Sequence, residues 1–139
     1  ILAQASASVE AACATYGQAL GTAFQIIDDV LDYDGDAHEM GKNLGDDLRE
    51  GKCTLPLIIA MQRASTEDSR IIRQAIEQGS TDQLQSILQI VKSTGALDAT
   101  RQAAHDEAVR AIEALKALPS NAYTQAMEQL ASQLLLRRT

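Results

Sequence analysis

The chain has 139 residues, enough for one domain with a real core, and a formal net charge of −7. That charge argues against nucleic acid and against an anionic membrane surface as partners, and no apolar run reaches the ~18 residues needed to span a bilayer. Glycine and proline are sparse and Ala, Leu, Gln, Ile and Glu dominate, a helix-forming composition. Cys13 and Cys53 have no metal or redox spacing and read as reduced, buried thiols of a cytosolic protein.

The opening "ILAQASASVE" has neither a signal peptide nor a helix-start signal and reads as the interior of a longer chain. Residues 9–33 then carry a long helical pattern. Val9, Cys13, Tyr16, Leu20, Ala23, Ile27 and Val30 form one apolar stripe. Gly21, Gln25, Asp28, Asp29 and Asp32 fall on the opposite arc. Phe24, Ile26, Leu31 and Tyr33 lie between, so the pattern predicts a central helix, apolar on nearly all sides. Its polar arc must face a cavity, because a buried unpaired carboxylate is prohibitive.

Residues 34–52, with Gly35, Gly41, Gly45 and Gly51, read as a glycine-punctuated loop. Thr54 and Pro56 open an apolar helix, "LPLIIAMQRA". Ser65 or Thr66 starts another that stops near Gly79, and Ser80 caps one that stops near Gly95. A long amphipathic helix covers about 97–117 and ends before Pro119. Ser120 or Asn121 opens the last, running to Arg137. There is no strand pattern and no repeat, so the prediction is an all-α bundle with short connections.

Five aspartates fall within nine residues, Asp28 to Asp36. Close like charges destabilise a helix. Asp28, Asp29 and Asp32 form D-D-x-x-D, and positions i and i+4 share a helix face. Asp28 and Asp32 can reach one ion and Asp29 a neighbouring one. Mg2+ takes oxygen ligands, keeps several waters, and is commonly shared between carboxylates and substrate phosphates. Gln25, one turn earlier, could hydrogen-bond the ligand. A solvated acidic patch is the plain alternative, and the flanking Ile26, Ile27, Val30 and Leu31 argue against it. A calcium loop in "DYDGDAHEMGKN" fails, with Ala37 and Asn43 at the positions that require Gly and Glu. Lys42, Arg49 and Lys52 stand among the loop glycines, either as surface charges or, opposite the acids, as a clamp on a diphosphate. Asp46 and Asp47 could pair with those lysines or reach metal through water. His38 and His105 read as surface residues.

"FQIIDDVLDY" followed by "GKNLGDDLREGKCTLPLI" resembles the second aspartate-rich region of the trans-isoprenyl diphosphate synthases. The likeness is to the long-chain bacterial members, those forming octaprenyl diphosphate for quinone side chains most of all. It continues more weakly through the later helices. The resemblance implies an all-α isoprenoid synthase bundle around a deep cavity, and condensation of isopentenyl diphosphate onto an allylic diphosphate. It implies Mg2+ held by Asp28, Asp29 and Asp32, and diphosphate contacts from Gln25, Lys42 and Lys52. Asp28, Asp29 and Lys42 would carry the ionisation of the allylic substrate in a cavity poor in water. A cytoplasmic homodimer is implied as well.

The family also uses a first aspartate-rich motif, an upstream basic site and a Lys-Thr pair, and none occurs in these residues. The expectation is the C-terminal part of such an enzyme, inactive without the N-terminal part. A non-catalytic helical subunit that binds a catalytic partner is a competing reading, disfavoured by the intact acid-and-lysine set. A terpene cyclase is a third, and "GDDLREGK" resembles that class less.

Overall fold

The computed structural model describes residues 4–33 and 37–136. Asp34 and Asp36 of the rejected calcium loop, the His38 side chain and the terminal Arg137 and Arg138 lie outside the described residues. Among the described residues seven α-helices follow in order: α1 (Ala7–Leu31), α2 (Ala37–Arg49), α3 (Leu55–Arg63), α4 (Thr66–Gln78), α5 (Leu84–Ser93), α6 (Ala96–Ala114) and α7 (Ala122–Leu136). A 3-10 turn, Leu115–Ala117, extends α6. There is no strand among the described residues, so the all-α prediction holds. None of these helices is long and apolar enough to cross a membrane.

The chain divides into two compact units. One runs to Ile27 and resumes at Gln102; the other is Asp28–Arg101.

In the first unit α1, α6 and α7 meet over small residues. Ala19, Ala23, Ala108, Ala111 and Ala131 are buried, joined by Tyr16, Leu115 and Leu134. The Tyr16 hydroxyl donates to the Met127 carbonyl at 2.9 Å, which meets the rule that a buried phenol finds a partner. The buried stripe of α1 is Ala12, Tyr16, Ala19, Ala23, Ile27 and Val30. Its first half is rotated one position from the predicted stripe, because alanine lets helices approach closely and draws the contact onto Ala12 and Ala19. Cys13 is therefore exposed, as is Cys53, and the expectation of buried thiols is corrected. Only one face of α1 is covered: Phe24 is 46% exposed, and Gly17, Gly21 and Gln25 are exposed as well. Among the described residues the helix is thus not buried on nearly all sides. Asn121 starts α7, its Oδ1 accepting from the amides of Tyr123 and Thr124 at 2.9 and 3.0 Å.

The second unit packs α2 to α5 around Leu44, Leu48, Leu57, Ile72, Ile87 and Val91, all fully or almost fully buried. Local signals act as expected at α4. Ser65 Oγ accepts from the Asp68 amide at 3.1 Å, Glu67 and Asp68 lie in the first turn, and the helix ends at Gly79. Gly79 adopts φ 61°. The amide of Ser80 bonds to Ala75 O at 3.0 Å, and a Cβ on Gly79 would stand 3.2 Å from Arg49 O. Ser80 Oγ instead accepts from Asp82 N, and α5 begins only at Leu84.

The clearest departure is α2, which occupies most of the predicted loop. Met40, Leu44 and Leu48 repeat every four residues and are all buried, a helical stripe that glycine density masked. Gly41 and Gly45 sit one turn apart, facing Leu84 and Thr81 at ordinary packing distance. A Cβ there would touch Leu84 Cδ2 at 3.6 Å and Thr81 Cγ2 at 3.7 Å. Their amides lie beyond the helix's first four, inside its own hydrogen-bond ladder, and are not available to cradle a phosphate.

Candidate functional site

The acidic run falls on the last turn of α1. Asp28, Asp29 and Asp32 are all half-buried. The Asp32 amide bonds to Asp28 O at 3.2 Å, which sets the two residues one turn apart. The last turn contains no basic residue. A helix C-terminus already carries a partial negative charge, and acids there are unfavourable by about 0.3–1 kcal/mol each. Three carboxylates at the wrong end of a helix, with no basic residue in its last turn, are a stability liability.

The second element is α2. Its Asn43 Nδ2 donates to the Asp32 carbonyl at 3.4 Å, tying α2 to the end of α1. One turn on, Asp47 points inward and is only 7% exposed. Its Oδ1 accepts from Lys52 Nζ at 3.4 Å, while Oδ2 is buried with no hydrogen-bond partner. Beside it, Tyr33 and Thr54 are buried and share a hydroxyl contact of 3.4 Å. Burial, reinforced by the Asp47 carboxylate, holds the Tyr33 phenol well above its usual range.

The two neighbouring acids of α2 part company. Asp46 is exposed and pairs with Arg49 at 2.7 Å, a surface contact worth ~0–1 kcal/mol. Asp47 turns into the site. Lys42 is exposed and shares the outer stripe of α2 with Asp46 and Arg49 by its spacing. Gln25 is exposed on α1, one turn before Asp28 and Asp29. The exposed His105, with Nδ1 3.6 Å from Asp106 Oδ1, is the surface residue expected.

The electrostatics join the two helices. Burial pushes the Asp32 carboxyl up, and the charges of Asp47 and Asp29 push it further against the pull of Lys52. Burial likewise raises Asp47, with Lys52 opposing. A carboxyl whose native pKa lies above its unfolded value of about 3.9 keeps its proton longer in the folded state. Its contribution favours folding at low pH and is lost as pH rises through the native pKa. The melting temperature of Asp47→Asn should therefore gain on that of the parent as pH rises from about 4. Scanning calorimetry across that range checks the sign; a gain that shrinks with pH would contradict it.

The donor set suits a hard divalent cation: every acid side chain offers oxygen, the acids are half-buried or buried, and one carboxylate oxygen has no partner. Among the described residues no group of three or more His, Cys, Asp or Glu side chains is placed to hold a metal ion by itself. The acids at the end of α1 offer oxygen donors without forming such a group. Sequence reasoning missed Asn43, Tyr33, Thr54 and the inward turn of Asp47. An acid directly beside the Met40–Leu44–Leu48 stripe was the available signal.

Residues 1–93 match the family described as Polyprenyl synthetase. The chain is 52% identical over 110 residues to an all-trans-nonaprenyl-diphosphate synthase (geranyl-diphosphate specific) of Rhodobacter capsulatus, covering 79% of this chain and 34% of that protein. It is 47% identical over 132 residues to the octaprenyl diphosphate synthase of Escherichia coli, covering 94% of this chain and 41% of that one. It thus spans 34% and 41% of the length of these curated relatives. In structure it resembles a polyprenyl synthase from Roseobacter denitrificans, with a TM-score of 0.82 at 38% identity, over 96% of this chain and 43% of that one. It also resembles a polyprenyl synthase from Caulobacter crescentus complexed with calcium and isoprenyl diphosphate, with a TM-score of 0.76 at 38% identity, over 97% and 42% of the two chains. With its fold, its D-D-x-x-D helix end and two thirds of its length matched, this chain belongs to the polyprenyl synthetase family.

Proposed function

We propose that this chain supplies the second acidic face of a trans-prenyltransferase, which condenses isopentenyl diphosphate with an allylic diphosphate to form octaprenyl diphosphate for quinone side chains. The observation that carries the reading is the pairing of half-buried Asp28, Asp29 and Asp32 with buried Asp47 and its Lys52. A diphosphate is strongly anionic and would be repelled by these acids alone. A divalent cation reconciles the two, and the oxygen-only donor set fits Mg2+, held by Asp28, Asp29 and Asp32. When bound, Mg2+ supplies Lewis-acid charge at the diphosphate leaving group. Lys52 and Lys42 add positive charge to the departing oxygens, and Gln25 adds a hydrogen-bond donor. The calcium and isoprenyl diphosphate in the Caulobacter relative support this ligand class. The prenyl products named for the bacterial relatives support the reaction class.

The protein would act in the cytoplasm as a homo-oligomer, with a further acidic helix facing this one across the diphosphate. The test is a full-length protein containing this segment, incubated with radiolabelled isopentenyl diphosphate, farnesyl diphosphate and Mg2+. The expected product is an eight-unit prenyl chain that is lost when Mg2+ is chelated. Labelled product of another length would overturn the octaprenyl assignment, and none at all would overturn the reaction.

A further inference from the structure

We propose that Asp47 is the positioning residue for Lys52, fixing its ammonium group beside the acidic end of α1 for use by the diphosphate. The inference rests on the diphosphate reading of that site. It starts from the way α2 ends. Gly51 adopts φ 67°. Its amide bonds to Leu48 O at 3.1 Å, and the Lys52 amide bonds back to Asp47 O at 2.8 Å. These bonds form the left-handed helix-end motif in which the chain folds back over the last turn. The fold-back sets Lys52 over Asp47, and the side chains repeat the backbone link, with Nζ 3.4 Å from Oδ1.

The pair is asymmetric. The Asp47 side chain is 9% exposed and that of Lys52 is 56% exposed. The anchor is buried, and the ammonium, which has three donors, uses only one of them on it. An unanchored lysine would lose rotamer freedom on binding; a lysine already held loses less. Stability does not explain this acid. Burying a carboxylate with one oxygen unpartnered is unfavourable, and Asp46 beside it shows the harmless alternative of an exposed surface pair.

The experiment is calorimetric titration of this protein with pyrophosphate at fixed Mg2+, for the parent, Asp47→Asn, Lys52→Ala and the double variant. Asp47→Asn should weaken binding about tenfold with its melting temperature unchanged or raised. The same step should do almost nothing when Lys52 is already alanine. If the asparagine variant does not fold, Asp47→Leu, which removes both charge and unpartnered acceptor, takes its place. Parent-like affinity in the Asp47 variant, or an equal loss in both backgrounds, overturns the positioning role alone. Absence of pyrophosphate binding by the parent overturns the site reading, and this inference with it.

Discussion

Asp28→Asn combined with Asp32→Asn should lower the turnover of a full-length prenyltransferase carrying this segment by about three decades, or ~4 kcal/mol of transition-state stabilisation. The two side chains lie one turn apart and half-buried at the end of α1. Both amides keep the shape and lose the charge that holds a divalent cation against the diphosphate. The fold should not suffer. Neutralising two acids at a helix C-terminus removes about 0.3–1 kcal/mol of strain each, so the melting temperature should hold or rise by a few degrees. Loss of activity with gain of stability is the signature of charge placed for chemistry. Activity surviving within a factor of about ten, or ~1.4 kcal/mol, would contradict the metal role.

Residues 1–139 alone should give no labelled prenyl product from isopentenyl and farnesyl diphosphates with Mg2+. Metal ions that stabilise a departing diphosphate act best from two sides, and these residues supply one acidic helix end. The same chain should self-associate. Phe24, Tyr123, Leu130 and Leu136 are exposed on its first unit, Tyr123 by 82% and Leu136 by 79%, and exposed apolar surface of this kind drives association. Light scattering on the purified chain reads the second expectation. Adding the separately expressed N-terminal part of a bacterial relative should restore some product. Turnover by residues 1–139 alone would show that one acidic helix suffices.

Much of the fold was legible because local signals and burial agreed. Ser65 and Gly79 bound α4, and Asn121 opens α7, where the side-chain chemistry of caps leaves few alternatives. The α2 segment was not legible as a helix. Glycine weakens helix propensity, and the burial of Met40, Leu44 and Leu48 that overrides it at Gly41 and Gly45 is a tertiary effect that no local rule reveals. The stripe of α1 was misplaced by one residue for a related reason: hydrophobicity favours Cys13 and Leu20, while helix packing favours the smaller Ala12 and Ala19. At the site, the D-D-x-x-D spacing announced its own helix face. Which of Asp46 and Asp47 turns inward depended on the phase of α2, and that phase was hidden with the helix.

The claim that the end of α1 is a metal–diphosphate site is tested most directly by calorimetry of the 139-residue protein with Mg2+, in the absence and presence of pyrophosphate. Three half-buried acids on one helix cannot complete an octahedron, so Mg2+ alone should bind weakly. Pyrophosphate should tighten it by about tenfold to a hundredfold, with the reciprocal gain for pyrophosphate when Mg2+ is present. The gain should vanish in Asp28→Asn plus Asp32→Asn. Tight Mg2+ binding without any phosphate ligand, or pyrophosphate binding indifferent to both Mg2+ and these aspartates, would contradict it.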